Sequence, residues 1–408
     1  MSQPAPAKVA LVLPGAGARS AYQVGVLQAI AEWYPAQEPL PFTILTGTSA
    51  GAIICAVLGT HAADFRTGTT VLTKFWSEFH VGQVFRTDSA TMWRSGLRWL
   101  AAILSRGGLT SVPASLLDNT PLRTTLDTHI DFKQIKLALE QGILEAIGIS
   151  AASYHTGRTI SFFDSAKQLP EWRRSMRGGV RTDLTTEHLM ASAALPFVFP
   201  AVPLHDGHYG DGAMRQMAPL SPAVNLGADK VLVITVRENG TPAAPAPHAP
   251  PSVGYVAGYM FDSVFLDGLA SDLDRLDRDN QLVEASGGKT RRGLRKVVPM
   301  LLEPTQDFGI IAEKCADCLP KSVRKLLRML GADNSAGRQV LSYLMFESRY
   351  TQELIRVGHK DANARRAELL TFLDPERRLA ADAAPSRAHS PPAAREVIES
   401  LGEDTVAA

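Results

Sequence analysis

The chain predicts an α/β fold: a mainly parallel central sheet flanked by helices, followed by a mostly helical C-terminal extension. Three observations carry this. Near the N-terminus, strand-like apolar runs alternate with helical stretches in the order β-α-β-α, which a parallel sheet with helical crossovers accommodates. The runs KVALVL (8–13) and KVLVITV (230–236) are apolar without alternation, as strands covered on both faces are. Beyond residue 253, leucine and phenylalanine recur at helical spacing rather than at every second position.

The elements follow in order. The first strand, Lys8–Leu13, runs into the turn PGAGARS (14–20) and a helix from about Ser20 to Tyr34, on which Tyr22, Val26, Ile30 and Trp33 share a face. A loop with Pro35, Pro39 and Pro41 leads to a second strand, Thr43–Thr46, then GTSAG (47–51) and a helix of small and apolar residues. Residues 70–130 read as largely helical. LEAIGISAA and RTISFFD, within 142–164, flank Tyr154-His155-Thr156-Gly157 and predict a hairpin; Asp206-Gly207 predicts the turn of another. NGTPAAPAPHAPPS (239–252) is a Pro/Ala-rich linker or exposed loop. Residues 255–284 place Phe265, Leu269, Leu273 and Leu276 at helical spacing, 295–302 offers one more strand, and 336–373 is helical again. From Pro375 the composition is that of a disordered tail. The expected organisation is an α/β domain over 1–238, the linker over 239–252, a helical extension over 253–374 packing on that domain, and a tail over 375–408.

Composition narrows the function classes. A net charge of +1 excludes a general nucleic-acid binder, and a hydrophobic content of 45% over 408 residues suits a globular protein with a substantial core. Three cysteines, Cys55, Cys315 and Cys318, argue against a disulfide framework and for a reducing compartment. Cys315-Ala-Asp-Cys318 lacks the second ligand pair zinc would need and reads as ordinary thiols. The N-terminus reads as strand and turn rather than signal peptide, and no stretch has the length and apolarity of a membrane span. A cytoplasmic protein is expected, with any membrane contact peripheral; the oligomeric state is left open.

The chemistry lies in the turns. Gly47-Thr48-Ser49-Ala50-Gly51 fits G-x-S-x-G where a strand meets a helix, the nucleophile elbow that lifts a serine hydroxyl clear of the sheet. Glycines on either side let the two backbones pass closely, and the helix N-terminus favours negative charge nearby. An acyl-transfer site also needs oxyanion donors and a base. The 14–20 loop supplies backbone N–H groups that can form an anion nest, and adjacent β-α units bring it beside the elbow at the C-terminal edge of the sheet. That loop is one residue short of the dinucleotide pattern GxGxxG, but the second strand ends in Thr46-Gly47-Thr48-Ser49 instead of an acidic residue. For the base, the order Ser, Asp/Glu, His predicts a histidine. His205 and His208 flank an acidic segment; His61, His80, His129, His155, His188, His248, His359 and His389 stand in no recognisable catalytic context. The segment PLHDGHYGDGAMRQMAPL (203–220) offers Asp206 and Asp211. A carboxylate at its ordinary pKa is a weak base for a serine proton, and burial would raise it. On the residues alone, histidine and aspartate both stay open.

Three motifs in order resemble the patatin-like phospholipase family: GAGARS (15–20) its G-G-G-x-[RK]-G oxyanion loop, GTSAG (47–51) its nucleophile elbow, and DGA (211–213) its D-G-[GA] aspartate motif. ASAALPFVFP (191–200) and LGADKVLVITV (226–236) sit where the family has similar segments, so the likeness covers about 8–238, a patatin-like catalytic domain within 1–238. Residues 255–373, with LSYLMFE at 341–347, resemble the extension of some bacterial members. The resemblance implies a Ser49–Asp211 dyad without histidine, oxyanion N–H groups from Gly15, Ala16 and Gly17, support from Arg19, Gly47, Gly51 and Gly212, no metal or other cofactor, and hydrolysis of lipid acyl esters. Asp206 is the runner-up aspartate. Ala16 and Ser20 stand where the family pattern has glycine, and alanine disfavours a positive φ.

Two other readings compete: a Ser-His-Asp esterase on a different α/β scaffold, and a non-catalytic lipid- or nucleotide-binding protein. For access to lipid, MWRSGLRWLAAILSR (92–106) aligns Trp93, Leu97, Leu100 and Leu104 on one helical face and Arg94 and Arg98 on another, a pattern that suits a membrane surface or a helix packed on the core.

Overall fold

Strand β1 (Val9–Leu13) is buried at every position, and so is β2 (Ile44–Thr48). The two pair in parallel, with Leu13 opposite Gly47. This is the outcome that unalternating apolar runs call for, since both faces of the sheet are covered. A computed structural model of the chain describes residues 7–86, 117–196, 198–205, 207–238, 253–287, 294–320, 324 and 338–374. The described strands are completed by β3 (Ala146–Ser153), β4 (Thr159–Ser165), β5 (Trp172–Arg173), β6 (Arg177–Arg181), β7 (Val202–Leu204), β8 (Gly207–Asp211), β9 (Lys230–Ile234) and β10 (Val298–Leu302). They form one sheet in the order β10-β9-β1-β2-β3-β4-β6-β5, with β8 paired to β3 and β7 to β8. From β10 to β3 every neighbour is parallel; the 142–164 region is the expected antiparallel hairpin, β3 against β4.

Helix α1 (Ala21–Glu32) follows a short 3-10 turn at Gly17–Ser20, and α2 (Ala50–Thr60) follows the elbow. The spacing of Tyr22, Val26, Ile30 and Trp33 predicts one buried face on α1. In fact nearly the whole helix is buried and Trp33 is the partly exposed member. The reason lies far downstream. Helix Ser348–Ala364 presses so closely on α1 that a Cβ on Gly25 would meet Ile355 O at 1.9 Å, and one on Gly358 would meet Tyr22 O at 2.1 Å. Helix α2 is buried from Ala50 to Gly59, as a helix apolar on all sides must be.

The C-terminal segment is helical at Val253–Ala285, Phe308–Lys314, Arg338–Leu344 and Ser348–Ala364, and β10 places a strand of it beside β9. On the long helix Phe265, Leu269 and Leu276 are buried and Leu273 packs on the core beneath the sheet, as their spacing predicts. The chain divides into two compact units, Met1–Arg366 and Ala367–Ala408; the described part of the second is helical. The basic amphipathic stretch at 92–106, most of the linker at 239–252, and the tail at 375–408 lie outside the described residues. Among the described residues, no helix is long and apolar enough to cross a membrane.

Candidate active site

The site begins with one edge of β3. Its partner along that edge is β2 as far as Thr48, opposite Ser150, and β8 from Asp211 onward, opposite Ala151. Strand β2 is parallel to β3 and β8 antiparallel, so the two run head-on and end one position apart. The residue after Thr48 is Ser49, and the residue ending β8 is Asp211. Sheet register therefore brings together two side chains 162 positions apart in the sequence.

Ser49 occupies φ 52° and ψ −127°, a region that side-chain-bearing residues avoid, at a cost of about 1–3 kcal/mol. The packing around the corner enforces it. A Cβ on Gly47 would lie 2.5 Å from Gly51 O, and one on Gly51 would lie 2.2 Å from Leu13 O. From the sheet side, the Ser49 N–H donates to Ser192 Oγ at 2.8 Å, and the Ser192 hydroxyl donates to Ser150 O at 2.7 Å. Ser192 is fully buried at the end of the Thr186–Ser192 helix. Nothing about a serine in ASAALPFVFP singles it out as the brace of the elbow. The signal is tertiary.

Asp211 is 1% exposed. Its backbone N–H donates to Ala194 O at 2.8 Å, and its Oδ1 accepts from the Ala213 N–H at 2.9 Å. Burial lifts its carboxyl to about 6, with the Ser49 hydroxyl and the Ala213 N–H holding it from rising further by hydrogen bonding the charged form. Gly212 is pressed between the strands; a Cβ there would lie 2.2 Å from Ser150 O. Asp206 lies outside the described residues.

The loop after β1 touches the elbow, as adjacent β-α units require: a Cβ on Gly15 would come 2.8 Å from Ser49 Cβ. The positive φ in this loop falls on Gly17, at 53°, while Ala16 takes φ −156° and Ser20 φ −63°. Neither Ala16 nor Ser20 is therefore asked for the positive φ that would require glycine. Among the described residues, no carbonyl accepts from the N–H of Gly15, Ala16 or Gly17. The N–H of Ala50, in the first turn of α2, likewise has no acceptor within its helix, and sequence reasoning did not single it out.

Arg19 is 1% exposed and its side chain leaves the loop for the C-terminal segment. Nε donates to Ser342 Oγ at 2.7 Å, Nη2 donates to Gln339 Oε1, and Nη1 lies 3.6 Å from Asp262 Oδ1 and 4.0 Å from Glu238 Oε1. The guanidinium stacks on the Tyr343 ring, 3.9 Å from its centroid.

Several of the candidate histidines are engaged elsewhere. His188 and His205 face each other, Nε2 to Nε2 at 3.4 Å, around Phe162, and burial pushes His188 down to about 4. His129 bonds Thr125 O, and His359 pairs with Glu32. His248 and His389 lie outside the described residues. Among the described residues, no histidine hydrogen-bonds Ser49 or Asp211. Cys55, Cys315 and Cys318 are free thiols.

Ser49 and Asp211 open onto a pocket of about 620 Å³, its solvent-open mouth included. The rest of its described lining is apolar or aromatic. Trp76, Phe79 and Phe199 come from the N-terminal half of the chain and Phe261, Phe265 and Tyr343 from the C-terminal segment. No lysine, arginine or histidine lines it among the described residues.

A family model described as patatin-like phospholipase matches residues 11–224, just over half of the chain. No curated protein sequence matches. Among solved structures, the chain is similar to VipD from Legionella pneumophila, at 14% identity and a TM-score of 0.34, over 86% of this chain and 67% of that one. It is similar to human GIVD cytosolic phospholipase A2 in complex with methyl gamma-linolenyl fluorophosphonate, at 11% identity and a TM-score of 0.40, over 92% of this chain and 60% of that one. For the type III effector protein ExoU the identity is 15% and the TM-score 0.30, over 89% of this chain and 62% of that one.

Proposed function

Because the chain belongs to the patatin-like phospholipase family, we propose that it is a serine lipid acyl hydrolase working through a Ser49–Asp211 dyad. The observation that supports this most is the register that sets Ser49 and a buried Asp211 carboxyl end to end along β3 at the mouth of one apolar pocket. In this reading Asp211 takes the proton of Ser49 as its Oγ attacks the acyl carbonyl. A carboxyl raised to about 6 is a better base than an ordinary one and stays mostly ionised at neutral pH. The N–H groups of Gly15, Ala16 and Gly17, with that of Ala50, hold the oxyanion. The acyl-enzyme forms as the alcohol leaves with the proton, and Asp211 then activates water to release the fatty acid.

The apolar and aromatic lining suits a fatty acyl chain. Phospholipid, lysophospholipid and simple lipid esters all meet that description, and contact with a bilayer is peripheral. The test is release of fatty acid from mixed phospholipid vesicles by the purified chain. Activity is expected for the parent, none for Ser49→Ala, and strongly reduced turnover for Asp211→Asn. A parent that releases no fatty acid, or a fully active Ser49→Ala, contradicts the reading.

A further inference from the structure

The start of the oxyanion loop is tied to α1, where the buried Gln23 amide donates to Pro14 O at 3.1 Å, but the rest of the loop is held from further away. The elbow beside it is fixed by Ser192 and Ser150, both inside the family-matched residues. The 15–20 loop is gripped instead by the Arg338–Leu344 helix, more than a hundred residues beyond that match. The grip has two parts. At the backbone, Gly17 lies so close to that helix that a Cβ would fall 2.4 Å from Tyr343 O. At the side chain, Arg19 is enclosed by Gln339, Ser342 and Tyr343, with Asp262 balancing its charge. Tyr343 is itself held: its hydroxyl donates to Asp262 Oδ1 at 2.9 Å, and its ring packs against both Phe261 and Phe265, with centroids 5.5 and 5.1 Å away. That same ring forms part of the pocket wall.

We propose that Tyr343, stacked on Arg19, is a positioning residue for acyl transfer: it sets the 15–17 loop against Ser49 and makes the oxyanion donors depend on the C-terminal segment. This rests on the acyl-transfer reading of Ser49 and the loop. Tyr343 touches no reacting atom in this scheme; it acts through Arg19 and Gly17.

The experiment is steady-state kinetics of the full chain on p-nitrophenyl butyrate, too short to fill the pocket, and p-nitrophenyl palmitate. In Tyr343→Leu, the displaced loop lowers kcat on butyrate by about 10–100-fold with KM nearly unmoved, the scale expected when donors shift by a fraction of an ångström to an ångström. Tyr343→Phe keeps the ring over Arg19 and recovers most of that kcat. A residue that only walls the pocket would instead raise KM for palmitate and leave butyrate turnover alone; that result overturns the proposal. Arg19→Lys combined with Tyr343→Leu is expected to be no slower than the slower single variant, because both break one clasp; a multiplicative loss overturns it. If circular dichroism shows Tyr343→Leu to be unfolded, Ser342→Ala removes an acceptor of Arg19, together with that hydroxyl's bond to Gln339 O within the same helix, and is expected to cost about 3–10-fold in kcat on butyrate; no loss there overturns the proposal. A parent that hydrolyses neither ester defeats the acyl-transfer reading, whereas an active parent with an unaffected Tyr343→Leu defeats this inference alone.

Discussion

Two tight turns end neighbouring strands, and they are supported in opposite ways. The turn after β2 carries Ser49 and is braced from within, by a serine one helix away and a carbonyl one strand away. The turn after β1 offers the loop amides; Gln23 ties its first residue to α1, and its Arg19 end is gripped from without, by a helix more than 310 positions downstream. The proposed nucleophile is thus a local property of the sheet, while the proposed oxyanion donors are a property of the whole Met1–Arg366 unit. Strain is distributed accordingly. Ser49 itself sits at φ 52°, which the packed corner must hold, whereas in the donor loop the positive φ falls on a glycine.

The largest effects belong to the internally braced turn. Ser49→Ala is expected to abolish ester hydrolysis, and Asp211→Asn to lower kcat by about 10²–10⁴-fold, the range for loss of a general base. Steady-state assays on a short ester check both. If Asp211→Asn keeps the parent rate, the head-on meeting of β2 and β8 has no catalytic meaning. Next comes the contrast itself: Ser192→Ala strips the Ser49 N–H of its acceptor and is expected to lower kcat about 10-fold and stability by about 1–3 kcal/mol, read by denaturant titration. Combined with Tyr343→Leu, its effect on kcat should multiply, since the two braces share no partner. Non-multiplicative losses would show one connected network instead of two supports.

A subtler test uses pH. Asp211 binds its proton more tightly in the folded chain, at about 6, than an unfolded aspartate does near 3.8. Protonated at low pH, it costs the fold nothing; as pH rises through that window, folding must bury a charge, and stability falls. The two-unit difference corresponds to roughly 3 kcal/mol. Asp211→Asn should therefore be more stable than the parent at pH 8 and lose that advantage by pH 4, measured as a shift in Tm. Activity should move the other way, with kcat/KM of the parent rising as pH passes about 6 and the base ionises. An Asp211→Asn chain no more stable than its parent at pH 8 would mean that the carboxylate is better solvated than its burial implies.

Much of this was legible in the residues. Unalternating runs located β1 and β9, the β-type run before the GTSAG corner located β2, the Tyr154–Gly157 turn announced the β3–β4 hairpin, and the stretch 295–302 contains the strand β10. Ser49, Asp211 and the 15–17 loop stand out because each sits at a tight backbone corner that demands glycine, at Gly47, Gly51, Gly212 and Gly17, and such corners leave a pattern in sequence. Ser192, Gln339, Ser342 and Tyr343 leave none. Their roles come from side chains meeting across the fold, and a serine or tyrosine in an amphipathic helix looks the same whether or not it grips a loop. For the same reason the heavy burial of α1 went unread, since it depends on Gly25 meeting a helix more than 320 residues away. Ala16 illustrates the converse. The sequence located the loop, but only its dihedrals reveal that the glycine requirement falls at 17.

The central claim, that Ser49 is a nucleophile activated by Asp211, is tested most directly by reacting the full chain with a fluorophosphonate and locating the adduct by peptide mass spectrometry. The account predicts one adduct, on the peptide carrying Ser49, absent from Ser49→Ala and formed far more slowly in Asp211→Asn. An adduct on another residue, or one formed at an undiminished rate in Asp211→Asn, would contradict it.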